Sequence, residues 1–127
     1  MAERILIVED DPVNMRVMMM ALRKFGYDFL QAADGEEALE VAVKEKPDVI
    51  LMDIQLPKMN GLEVTRVLRG NPNFANVPII AVTAHAMGGY EERAAEAGCD
   101  AYVTKPVNAR RLPEVIAEAL KRRRDET

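Results

Sequence analysis

Unbroken apolar runs punctuate the chain: Ile5-Leu6-Ile7-Val8, Val49-Ile50-Leu51-Met52, and the shorter-reading Val77-Pro78-Ile79-Ile80-Ala81-Val82 and Ala101-Tyr102-Val103-Thr104. A strand with one wet face alternates apolar and polar residues, whereas a strand covered on both faces stays apolar throughout. The runs therefore predict strands of a parallel sheet buried on both sides. A weaker strand is expected near Asp28 to Ala32, after the turn residue Gly26.

The intervening segments carry helical spacing. Leu112, Val115, Ile116, Ala119 and Leu120 repeat at i, i+3, i+4, i+7 and i+8, one buried stripe, with Asn108 placed to cap the start and Pro113 tolerable only in the first turn. Gly35 to Glu45 carries Ala38, Leu39 and Ala42 on one side. Val13 to Phe25 carries Val13, Val17, Ala21 and Phe25 at four-residue steps, which predicts that row as its buried face. Gly61 to Arg69 and Tyr90 to Ala97 complete the helices, with Gly98 at a helix C-terminus. A strand–helix unit repeated five times predicts an α/β domain with helices on both faces of a five-stranded parallel sheet.

Composition adds exclusions. The 127 residues are 49% hydrophobic and 30% charged, enough for one folded domain and too few for two. A formal net charge of -4 argues against direct nucleic-acid binding. Cys99 is the only cysteine, which leaves no internal disulfide and fits a reduced, cytoplasmic protein. The longest greasy stretch, Val17 to Leu22, is far short of the ~20 residues that span a bilayer, so no membrane insertion is expected.

In open parallel sheets, functional groups gather at the carboxyl ends of the strands. Here those ends read Glu9-Asp10-Asp11, Asp53, Thr83 and Lys105-Pro106. Two carboxylates about 4 Å apart repel by roughly 4 kcal/mol at an effective dielectric near 20, so the cluster needs neutralising charge. Lys105 offsets part, and a divalent cation offsets the rest; oxygen ligands favour Mg²⁺, with Mn²⁺ the substitute, over zinc or copper. A metal and an ammonium beside an Asp suit phosphoryl transfer to that carboxylate, with the Thr83 hydroxyl donating to the phosphoryl group. An acidic rim without metal is the bland alternative.

At this point the strings Ile-Leu-Ile-Val-Glu-Asp-Asp, Leu-Met-Asp-Ile-Gln-Leu-Pro-Lys-Met-Asn-Gly, Ala-Val-Thr-Ala and Tyr-Val-Thr-Lys-Pro matter together. In order and spacing they resemble bacterial response-regulator receiver domains, from Ile5 to Leu120. Pro-Val-Asn-Met, Met-Asp-Ile-Gln-Leu-Pro and Ala-Met-Gly-Gly-Tyr-Glu-Glu-Arg resemble the stand-alone DivK-type regulators of the bacterial cell cycle.

The resemblance implies a flavodoxin-like (βα)5 doubly wound sandwich with strand order 2-1-3-4-5. It implies a receiver domain over residues 1–121 and a short charged tail over 122–127. Asp53 then accepts phosphate from a histidine kinase or histidine phosphotransfer protein. Asp10, Asp53 and the backbone carbonyl of Gln55 bind Mg²⁺ directly, and Glu9 acts through water. Thr83 and Lys105 grip the phosphoryl group, Lys105-Pro106 is a cis peptide, and Tyr102 turns inward behind Thr83 on activation. Output passes to a protein partner through the face of the fourth helix, fifth strand and fifth helix; weak homodimerisation is a family trait. The acidic pair reads as Glu9-Asp10, with Asp10-Asp11 the alternative; His85 reads as a residue at the rim of the site.

Competing classes leave their own marks. A haloacid-dehalogenase-type phosphatase needs an acid two residues after its nucleophile, where this chain has Gln55. A phosphorylation-independent scaffold would have lost part of the set Glu9, Asp10, Asp53, Thr83 and Lys105. The chain is thus read as a phosphorylation switch that assists its own labelling and hydrolysis, not as a substrate-turning enzyme. Met15, Met18, Met19 and Met20 on the first helix read as core packing with ordinary exposure, the alternative being a docking face for the phosphodonor.

Overall fold

The computed structural model of the chain describes residues 2–84 and 89–125, the last three by their backbone alone. Strands β1 (Arg4–Val8), β2 (Asp28–Ala32), β3 (Val49–Asp53), β4 (Ile79–Thr83) and β5 (Ala101–Thr104) pair in parallel in the order β2-β1-β3-β4-β5. Helices α1 (Pro12–Arg23), α2 (Gly35–Glu45), α3 (Gly61–Arg69), α4 (Tyr90–Ala97) and α5 (Arg111–Asp125) connect or follow them. This is the predicted flavodoxin-like sandwich.

The apolar runs stay apolar because alternate residues meet different layers. Ile5, Ile7, Val49, Leu51, Ile80 and Val82 face one core with α1 and α5, while Leu6, Val8, Ile50, Met52 and Ile79 face the other with α2 and α3. The α5 stripe from Leu112 to Leu120 is buried as its spacing predicts. Asn108 starts that helix: its Oδ1 accepts the Arg110 and Arg111 N–H groups at 2.8 and 3.1 Å, and Pro113 falls in the first turn.

The buried face of α1 differs from the predicted one. Val13, Val17 and Phe25 are 68%, 44% and 51% exposed, and the core takes Met15, Met18 and Leu22. Apolar residues lie on both sides of this helix, so periodicity fixes a row without fixing which row packs. The helix also stops at Arg23, capped by Lys24, before reaching Phe25.

A connection the apolar pattern does not show follows α3. A single 3₁₀ turn, Pro72–Phe74, is capped by Asn71 and buries Phe74. Arg69 fastens it: Nη1 donates to the Phe74 and Val77 carbonyls at 2.6 and 2.8 Å, Nε to Gly98 O at 2.9 Å, and Nη2 to Asp100 Oδ2 at 2.7 Å. Gly98 caps α4 with φ 112, a left-handed conformation that glycine adopts without strain. No helix among the described residues is long and apolar enough to cross a membrane.

Candidate functional site

Register builds the site. Val8 pairs with Met52, so the next residue, Glu9, comes level with Asp53, the last residue of β3; Asp53 in turn pairs with Val82, and Thr83 with Thr104. Backbone bonds carry these rows past the strand ends. Glu9 N–H donates to Ala32 O at 3.0 Å, Ile54 N–H to Val82 O at 3.0 Å, and Lys105 N–H to Thr83 O at 2.7 Å. Glu9, Asp10, Asp53, Thr83 and Lys105 thus meet on one edge of the sheet. The Lys105–Pro106 peptide is cis.

Ligand oxygens of Glu9, Asp10 and Asp53 lie within 4.8 Å of one another. Glu9 and Asp53 are each only 2% exposed, whereas Asp10 faces solvent. Asp11 stands apart from them. It is the N-cap of α1, where its Oδ1 accepts the Val13 N–H at 2.8 Å. Glu9 and Asp10, and not Asp11, are therefore the acids that cluster with Asp53.

Lys105 ties the two buried acids. Its Nζ donates to Asp53 Oδ2 at 3.0 Å and lies 2.8 Å from Glu9 Oε1. The second contact is an ion pair off the hydrogen-bond line, and Glu9 Oε1 is left without a directed donor among the described residues. Glu9 Oε2 accepts the Asp11 N–H at 3.2 Å, and Asp53 Oδ1 accepts the Gln55 N–H at 3.0 Å.

Burial pushes the Glu9 carboxyl up to about 7, Lys105 lowers it and Asp53 raises it further. Lys105 is itself raised: burial pulls it down, but its close contacts with the Glu9 and Asp53 carboxylates outweigh that. One ammonium against three acids leaves a net negative site. The donors are all oxygen, and one buried oxygen lacks a directed donor, so the set fits a hard divalent cation.

Thr83 is fully buried at the end of β4. Tyr102 is half-buried on β5 beside Tyr90, Ala94 and Ala97 of α4, and burial raises its phenol. Gln55 is exposed in the loop after β3. His85 and Gly88 lie outside the described residues. Cys99 is half-buried, with its thiol raised by burial and 3.8 Å from Thr65 Oγ1.

Comparison with known proteins agrees with this geometry. Residues 5–117 match the family model described as the response regulator receiver domain. The chain is 43% identical over 120 residues to the polar-differentiation response regulator DivK of Brucella anthropi, covering 94% of this chain and 98% of that one. A CheY-like receiver domain protein from Methanospirillum hungatei superposes with a TM-score of 0.92 at 34% identity over 100% of both chains. The receiver domain of a sensor histidine kinase from Pseudomonas aeruginosa, described with a magnesium ion coordinated in its active-site cleft, superposes with a TM-score of 0.88 at 38% identity, over 95% of this chain and 99% of that one. With the family model spanning most of its length, the chain belongs to the response regulator receiver domains, the phosphoacceptor modules of two-component signalling.

Proposed function

We propose that Asp53 is the residue that takes the phosphoryl group, from a phosphohistidine on a kinase or phosphotransfer protein. The observation that carries this reading is the setting of Asp53: a buried carboxylate at a strand end, bonded to Lys105 and within one oxygen cluster with Glu9 and Asp10. In the transfer, the P–N bond breaks as an Asp53 oxygen forms the new P–O bond, and the imidazole leaves with the electron pair and takes up a proton.

Asp10, Asp53 and the Gln55 carbonyl would hold Mg²⁺, with Glu9 bound through water; Mn²⁺ shares the preference for oxygen ligands. The bound cation supplies charge neutralisation at the phosphoryl oxygens. Lys105, already 3.0 Å from Asp53 Oδ2, moves its donors to the incoming phosphoryl oxygens, and the Thr83 hydroxyl donates to another. Drawing Thr83 toward the phosphoryl group opens space behind it for Tyr102, which sits half-buried one strand away. That coupling supports an output surface on α4, β5 and α5 for a protein partner in the cytoplasm.

Acetyl phosphate with Mg²⁺ tests the reading. The chain is expected to take up one base-labile phosphoryl group, and Asp53→Asn to take up none. Full labelling of Asp53→Asn overturns the assignment.

A further inference from the structure

The loop between β3 and α3, residues 54–60, carries Gln55 and is held in a strained conformation. Lys58 has φ 69, and the Met59 N–H reaches back to the Pro57 carbonyl at 2.8 Å across it. A non-glycine residue with this backbone persists only where its surroundings over-determine it. Two glycines supply that constraint. Gly61, the first residue of α3, presses on β3: a Cβ there would fall inside the Asp53 carbonyl oxygen and 2.9 Å from both Asp53 C and Ile54 Cα. Gly35, the first residue of α2, presses on the loop: a Cβ there would lie 2.7 Å from Met59 O, 2.9 Å from Met59 Cβ and 3.0 Å from Val64 Cγ2.

The element carrying Gly35 is itself fixed. Asp34 Oδ1 accepts the Glu37 N–H at 2.9 Å, and Glu37 Oε1 accepts the Ala33 N–H at 2.6 Å, so two side-chain bonds fix the start of α2. Lys58 reaches across to the same turn, 3.7 Å from Asp34 Oδ2 and 3.8 Å from Glu36 Oε2. These ion pairs are exposed and weak; the backbone contact at Gly35 is the firm one.

We infer that Gly35 is a positioning residue for the phosphoacceptor site: the start of α2, through Met59, sets where Gln55 stands relative to Asp53. This rests on the reading of Asp53 and the Gln55 carbonyl given above. On backbone entropy alone a Gly35→Ala change favours the helix. A loss of site function in that variant therefore comes from crowding against Met59 and Val64, of which only Met59 belongs to the loop.

The test uses the full chain as wild type, Gly35→Ala, Met59→Gly and Gly70→Ala. Gly70 caps α3 far from the loop, and a Cβ there meets nothing nearer than 3.4 Å. Mg²⁺ affinity is measured by NMR titration, the Asp53 and Gln55 amides are followed without metal, and thermal unfolding is recorded for each. Gly35→Ala is expected to shift both amides before metal is added and to weaken Mg²⁺ binding about tenfold, as loss of a supporting contact does. Its unfolding midpoint should stay well above the assay temperature, and Gly70→Ala should match wild type. Mg²⁺ affinity within twofold of wild type in Gly35→Ala overturns the inference. If Gly35→Ala does not fold, Met59→Gly decides, since it removes the Met59 Cβ that Gly35 abuts and loosens the loop backbone while leaving α2 intact; unchanged affinity there overturns the inference equally. A wild-type chain that binds no Mg²⁺ defeats the reading of the site instead. The metal-free amides then judge the positional claim alone, which unshifted signals in Gly35→Ala overturn.

Discussion

Lys105 and Asp53 are 52 residues apart in sequence, and the Lys105 ammonium donates to Asp53 Oδ2 at 3.0 Å. The same ammonium lies 2.8 Å from Glu9 Oε1, so it is the charge that lets two buried carboxylates share one edge of the sheet. Replacing it with methionine keeps the length and removes the charge. Lys105→Met is expected to lower labelling by acetyl phosphate about 100-fold, as loss of a preorganised cation does, with Mg²⁺ binding retained. The measurement is initial labelling rate against Mg²⁺ concentration. A rate within threefold of wild type would remove Lys105 from the phosphoryl-binding role.

Glu9 gives the metal-free chain a signed pH dependence. Its carboxyl is raised from 4.5 to about 7 in the folded state, mainly by burial. Between those values the folded chain holds a proton that the unfolded chain has lost, so this group's contribution is complete below about 4.5 and declines as pH rises toward 7. The decline is expected to be about 1–2 kcal/mol, allowing for screening near the exposed Asp10. Urea unfolding in EDTA from pH 4.5 to 7.5 reads it, and Glu9→Gln should flatten that part of the profile.

How much of this was legible in sequence depends on what each residue's position rests on. Strand ends were, because a strand buried on both faces stays apolar until it meets the site, as Met52 and then Asp53 show. The phase of α1 was not. Val13, Val17 and Phe25 form as good an apolar row as Met15, Met18 and Leu22, and only packing against β1 and α5 selects between them. Arg69 and Gly35 were also silent, since three of the four acceptors on Arg69 and the nearest atom to Gly35 are backbone atoms that no side-chain pattern encodes.

The two faces of α1 make a sharp comparison. Met18→Ala removes a side chain that is 1% exposed and is expected to cost about 2–4 kcal/mol, while Val17→Ser on the outer row should stay within about 0.5 kcal/mol. Chemical denaturation of the pair checks the assignment, and equal costs would return the core to the outer row.

Arg69 is the remaining test of how the sheet edge is held. Its guanidinium satisfies the Phe74, Val77 and Gly98 carbonyls and pairs with Asp100, closing the 3₁₀ turn onto the ends of α3 and α4. Asp100 Oδ2 also accepts the Ile79 N–H at 2.9 Å, so the same cluster sets the first residue of β4. A lysine has one ammonium where the arginine has a planar fork of donors, and cannot reach all four acceptors in this geometry. Arg69→Lys is therefore expected to cost about 1–3 kcal/mol, close to the cost of Arg69→Ala, because either change leaves carbonyls without donors. The functional site lies at the opposite ends of the strands, so Mg²⁺ affinity measured well below the unfolding midpoint should be unchanged in both variants. A large loss of stability in Arg69→Ala with none in Arg69→Lys would mean that charge alone, and not the fork of donors, holds this end of the sheet.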